Sequence, residues 1–147
     1  MIAYVTVGAN DMTRAARFYG AFLPALGYTV EGYHGDLSYL PPEVPGQRPG
    51  TEFYVKSPFD GGAASPGNGA MVAFEVPSQA HLRALHAAAL AAGGSDAGAP
   101  GFRADYGAHF YVGYLRDPDG NKIALFCDDP NAPGRDDTPG PQVSTQS

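Results

Sequence analysis

Tryptophan is absent from the 147 residues, cysteine occurs once, and charged side chains make up only 16 % of the chain. The single cysteine, Cys127, excludes an intrachain disulfide framework and any cysteine-rich zinc site, and it points to a reducing cytoplasm as the location. Cations are scarce: nine Lys and Arg stand against fifteen Asp and Glu, for a formal charge of −6. With no basic stripe, neither nucleic acid nor an anionic membrane is expected as a partner. No run approaches the roughly eighteen uninterrupted apolar residues of a membrane span, and Met1-Ile2-Ala3-Tyr4-Val5 lacks a basic segment ahead of an apolar one. The chain therefore reads as soluble and unexported. There is no Ser-His-Asp signature, phosphate-binding glycine loop or dinucleotide fingerprint.

What is present is glycine, proline and aromatic rings: 20 Gly, 14 Pro, nine Tyr and eight Phe. A hydrophobic share of 44 % suits one globular domain, expected over residues 1–128. From Asp128 to Ser147 the composition is four Pro, two Gly, four Asp and one Val, which predicts a flexible acidic tail over 129–147.

The domain reads as a doubled unit. Tyr4 to Val7 alternate as a strand, Asn10 or Asp11 supplies an N-cap, and Ala15, Phe18, Phe22 and Leu26 space a helix from Met12 to Leu26 that Gly27 stops. Met71 to Val76, the cap Ser78 and an Ala-rich helix ending at Gly93-Gly94 repeat that pattern. A shift of 67 residues lays Tyr4 on Met71 and Phe18 on Leu85. Extended runs follow each helix: Tyr28 to Tyr33, Leu37 to Leu40 and Glu52 to Lys56, then one near Phe102, His109 to Arg116 and Lys122 to Cys127. The turn Asp117-Pro118-Asp119-Gly120 joins the last two as a hairpin. The expected fold is α+β: two βαβββ modules, 1–57 and 69–128, joined by a linker at 58–68, with mixed sheets curving around a shared cavity.

Alternation assigns the faces. Val5, Val7, Phe53, Val55, Val72, Phe74, Val76, Ile123, Leu125 and Cys127 belong under the helices, with Cys127 a buried thiol. Tyr4, Thr6, Glu52, Tyr54, Lys56, Met71, Ala73, Glu75, Ala124 and Phe126 face the cavity. Both faces of the run from His109 to Leu115 carry large residues; His109 and Tyr111 are placed inward. The rim holds Arg103 or Lys56.

The opening strand with Asn10-Asp11-Met12 to Phe18-Tyr19, and the hairpin Arg116-Asp117-Pro118-Asp119-Gly120-Asn121-Lys122-Ile123, set in register with the doubled unit, resemble the vicinal oxygen chelate superfamily. That superfamily includes glyoxalase I, extradiol dioxygenases and bleomycin-resistance proteins. The resemblance implies a divalent cation held by His or Glu from the first and last strands of each module, and a homodimer. At the matching positions stand Tyr4, Met71 and Ala124, none of them a His or Glu, with Glu52 the one comparable carboxylate. No metal is therefore expected, save one held by non-standard ligands.

Among other candidates, His81 and His86 lie five apart on the second helix and are expected to be exposed, His34 sits in a turn, and Asp117 and Asp119 serve the turn itself. Glu52 is either a ligand contact or a partner of Lys56. The expected ligand set is Tyr4, Thr6, Glu52, Tyr54, Met71, Ala73, Arg103, Tyr111, Ala124 and Phe126, suited to a small aromatic or planar organic molecule. Two alternatives stay open: a metal-dependent lyase or dioxygenase with substitute ligands, and a metal-free acid/base enzyme with Glu52 or His109 moving the proton.

Overall fold

The computed structural model describes residues 1–137. The first module runs β1 (Tyr4–Gly8), α1 (Met12–Gly20), β2 (Thr29–Tyr33), β3 (Asp36–Leu40) and β4 (Glu52–Lys56). The second runs β5 (Val72–Glu75), α2 (Gln79–Ala91), β6 (Ser95–Phe102), β7 (Phe110–Arg116) and β8 (Lys122–Asp128). Each module is a mixed four-stranded sheet, in the orders β1-β4-β3-β2 and β5-β8-β7-β6. In both, the first strand pairs parallel with the last, and the remaining pairs are antiparallel. The two sheets remain separate, so the fold is the expected α+β pair of modules without closure into one barrel. Among the described residues no helix is long and apolar enough to cross a membrane.

Helix starts follow from their caps. The Asp11 carboxylate accepts from the Arg14 amide and the Ser78 hydroxyl from the His81 amide, each satisfying a donor the helix leaves orphaned. The expected helix from Met12 to Leu26 is shorter than its spacing suggests. It ends at Gly20, and a separate 3-10 turn spans Pro24–Leu26, because Pro24 has no amide hydrogen and its ring would meet the carbonyl four residues back. Phe22 nevertheless reaches the core.

The core is aromatic and crosses the module boundary. Tyr19 packs on Tyr39 and Phe53 of the first sheet with Phe18 and Phe22 against it, and Phe74 of β5 meets Phe22, Tyr28 and Phe53 with ring centroids 5.8, 5.9 and 5.1 Å apart. Each such ring taken fully from water contributes on the order of 1.5–3 kcal/mol. Phe53, Val55, Phe74, Val76, Ile123, Leu125 and Cys127 are buried on the helix side, where alternation puts them, and burial pushes the Cys127 thiol upward from its ordinary pKa.

Three expectations are corrected. Tyr111 does not face the open side: it pairs with Cys127 across the β7/β8 ladder, so both lie under α2, where the Arg83 guanidinium donates to the Tyr111 hydroxyl at 3.2 Å. His86 is not exposed but 4 % accessible. Gly113 makes that possible, since a Cβ there would stand 3.0 Å from the imidazole, and the ring Nε2 lies 3.0 Å from the Tyr114 carbonyl. The start of the supposed tail is packed. The Arg135 amide donates to the Ala108 carbonyl, its guanidinium donates to the carbonyls of Arg103, Ala104 and Tyr106, and Gln79 donates to the Pro133 carbonyl. Hydrogen bonds to main-chain carbonyls supply what the composition lacks in apolar surface. The rest of that tail, 138–147, lies outside the described residues.

One buried carboxylate joins the modules. Asp117 accepts the amides of Asp119 and Asn121 at 2.9 Å each, which closes the hairpin turn, and its Oδ2 accepts the Tyr19 hydroxyl of α1 at 2.6 Å. The Asn121 side-chain amide then bridges Asp117 Oδ2 and the Gly8 carbonyl of β1. Burial, and then the Asp117 charge, raise the Tyr19 phenol well above its ordinary pKa. Asp117→Ala leaves a buried hydroxyl and amide unpaired and is expected to lower the unfolding free energy by about 2–4 kcal/mol in urea titrations, against about 1 kcal/mol for Tyr19→Phe.

Candidate functional site

The strand register decides which side chains share the helix-free faces. In the first sheet Tyr4 pairs with Glu52, Thr6 with Tyr54, and Ser38 with Tyr54 from the other side. In the second, Ala73 pairs with Ala124, Glu75 with Phe126, Val112 with Phe126, and Tyr114 with Ala124. Tyr4, Thr6, Glu52, Tyr54, Ala73, Ala124 and Phe126 therefore stand on the faces assigned to them.

On the first face Tyr4 is 60 % exposed and stacks on Tyr54 at a centroid distance of 5.1 Å and an interplanar angle of 30°. The Tyr54 hydroxyl donates to the Glu52 carboxylate, and that bond raises the phenol above its ordinary pKa. Among the described residues Glu52 makes no ion pair with Lys56. Lys56 instead lines a cleft of about 630 Å³ with Thr6, Gly8, Asp36, Ser57 and linker residues between Pro58 and Ser65.

A second cleft, of about 300 Å³, lies at the seam of the modules and is lined by Ile2, Glu52 and Phe53 from one side and Met71, Ala73 and Phe74 from the other. The expected ligand set is thus distributed: Thr6 in the first cleft, Glu52, Met71 and Ala73 in the second, Tyr4 and Tyr54 on the open face, and Arg103, Ala124 and Phe126 on the second sheet. Tyr111 is absent from all of these.

His109, the other proton-transfer candidate, precedes β7 under Gly134, whose position would bring a Cβ within 3.1 Å of the imidazole. Its Nδ1 is buried without a hydrogen-bond partner among the described residues, and no bond or ion pair joins it to Glu52. The two candidates do not form one acid/base pair.

Sequence reasoning missed Phe110, Tyr114 and Lys122. Phe110 and Phe126 meet at 4.8 Å, with Tyr106 adding a third ring 4.8 Å from Phe110. The Tyr114 ring carries the Arg103 guanidinium at 5.3 Å and the Lys122 ammonium at 4.7 Å from its centroid. The signal lies in the hairpin: pairing outward from the Asp117 turn sets Arg116 against Lys122 and Tyr114 against Ala124.

The donor set does not fit a hard divalent cation. Ala124 supplies no donor, the Met71 thioether is soft, the Tyr4 ring is stacked, and the Glu52 carboxylate accepts from Tyr54. Among the described residues no three His, Cys, Asp or Glu side chains come together as a metal-holding group.

Comparison with known proteins agrees with the architecture. The model of the glyoxalase-like domain matches residues 4–126. A glyoxalase/bleomycin resistance protein from Albidiferax ferrireducens T118 is 34 % identical, with a TM-score of 0.75 over 88 % of this chain and 99 % of that one. A glyoxalase-related enzyme from Fulvimarina pelagi is similar in fold at 23 % identity, with a TM-score of 0.64 over 91 % of this chain and 94 % of that one. No curated protein matches the sequence.

The contact between Tyr54 and Glu52 has a spectroscopic consequence. Glu52→Gln removes the carboxylate that disfavours the phenolate, so Tyr54 is expected to ionise at lower pH in that variant, read by ultraviolet difference titration with Tyr54→Phe as the blank.

Proposed function

The chain belongs to the family of glyoxalase-like domains, and on that premise we propose that it is a cytoplasmic, homodimeric protein that binds a small aromatic or otherwise planar organic molecule on its helix-free faces. The observation that carries this reading is the stacked pair of an exposed Tyr4 on a half-buried Tyr54, on a sheet face with no helix over it. A ring whose face is exposed and whose orientation is fixed by a neighbour offers a flat apolar platform at little cost in side-chain entropy. Thr6 and Glu52 stand beside it as polar groups able to orient a ligand, with Met71 and Ala73 lining the adjoining seam. On the second sheet the half-buried Phe126, packed on Phe110, offers an aromatic surface, while Ala124 between it and Lys122 is fully buried.

The dimer draws support from the apolar residues left exposed near the seam, Ile2 and Met71, which a second copy would cover. Sedimentation equilibrium at micromolar concentration is expected to give twice the 15.3 kDa chain mass, and Met71→Asp to return it to the monomer.

The binding reading is tested by melting-temperature shifts across a panel of aromatic metabolites and drugs. At least one compound is expected to raise the melting temperature by several degrees, with Tyr4→Ala abolishing the shift. No response from any compound rejects the reading.

A further inference from the structure

The second helix-free face gathers cations. Of the nine Lys and Arg in the chain, Arg103 and Lys122 flank the single ring of Tyr114, and Arg116 is the cross-strand neighbour of Lys122. Arg103 is fixed in place: its guanidinium donates to the Ala99 carbonyl at 2.8 Å and to the Phe102 carbonyl at 3.2 Å, which lays it across β6 above Tyr114. Gly98 leaves room for this. A Cβ there would stand 2.9 Å from Tyr114 Cδ2 and 3.3 Å from Arg103 Nη2, and its φ of +154° is one that L side chains rarely adopt.

Among the described residues no carboxylate pairs with Arg103, Arg116 or Lys122. The acids on this face, Glu75 and Asp128, lie toward the far end of β5 and β8; Asp128 is six residues beyond Lys122, roughly 20 Å along an extended strand. Two half-buried cations over one ring repel each other, and in a chain of net charge −6 their placement is not a general surface effect. A bound anion removes that repulsion, and a planar guanidinium whose remaining donors are unused suits a carboxylate. Further along β8, past the fully buried Ala124, Phe126 with Phe110 supplies an aromatic surface.

We propose that the second module binds a small aromatic carboxylate, its anionic group between Arg103 and Lys122 and its ring against Phe126 and Phe110. This rests on the aromatic-binding reading but places a separate site on the second sheet, away from Tyr4 and Tyr54, and adds the sign of the ligand charge and the residues that meet it. The charge at Ala124 is then opposite to what a metal-holding site needs: cations stand where carboxylates would gather.

The test compares 2-naphthoate with neutral 2-naphthamide by isothermal titration calorimetry at pH 7.5 and low salt. Naphthoate is expected to bind about tenfold or more tightly than the amide, an advantage that shrinks as salt rises. Lys122→Gln and Arg103→Gln, each checked for native circular dichroism, are expected to bring the two ligands within about threefold of each other, and Lys122→Arg to restore the difference. Equal affinities in the unaltered protein overturn the carboxylate assignment and leave the aromatic reading standing. A naphthoate advantage that neither Gln variant reduces overturns the placement at Arg103 and Lys122. Failure of both compounds to bind overturns the assignment and counts against the aromatic reading as well.

Discussion

Asp117 is the constraint on which the arrangement of the two modules depends. Its carboxylate shapes the β7/β8 turn from within, through the amides of Asp119 and Asn121, and also takes the Tyr19 hydroxyl from the first helix. A second layer of contacts follows from the first. With the turn so folded, Asp119 Oδ1 faces the start of α1, where it accepts from the Asn10 amide, the Asn10 side chain and Arg14. The segment from Asn10 to Tyr19 and the segment from Asp117 to Asn121 are thus two sides of one joint. Their joint occurrence in the sequence has a physical cause, since neither set of polar groups is satisfied without the other.

Much of this fold is legible in the amino-acid sequence. Caps and strand runs fix the element order because Asp11, Ser78 and the turn residues act locally, and alternation places the faces of β1, β4, β5 and β8 because each has one clearly apolar parity. It fails at β7, where Tyr111 and Tyr114 put a large ring on both parities. Counting from the hairpin turn resolves that ambiguity: Tyr111 falls opposite Cys127, which alternation assigns to the helix side, and Tyr114 opposite Ala124. The burial of His86 is out of reach of helical spacing alone, because the space it fills is created by Gly113 on a different element. The packing of residues 129–137 escapes compositional reading because it depends on hydrogen bonds to carbonyls of the loop before β7, which no residue count reveals.

The two helix-free faces differ in the sign of their charge. Register places Glu31, Asp36 and Glu52 with Lys56 on the first, and Arg103, Arg116 and Lys122 toward the turn end of the second. The stacked tyrosines of one and the cation-flanked tyrosine of the other are therefore different chemical surfaces on two copies of one plan. A site that joined donors symmetrically from both halves would need matching residues at Tyr4 and Met71 and at Glu52 and Ala124, and neither pair matches.

The two sheets share no backbone ladder, so the rings around Phe74 and the polar joint at Asp117 carry the attachment between them. Two halves joined this way can differ on their outward surfaces, since an exchange of one residue there shifts no hydrogen-bond register in the other half. Specialisation of one copy can then proceed while the other keeps the molecule folded.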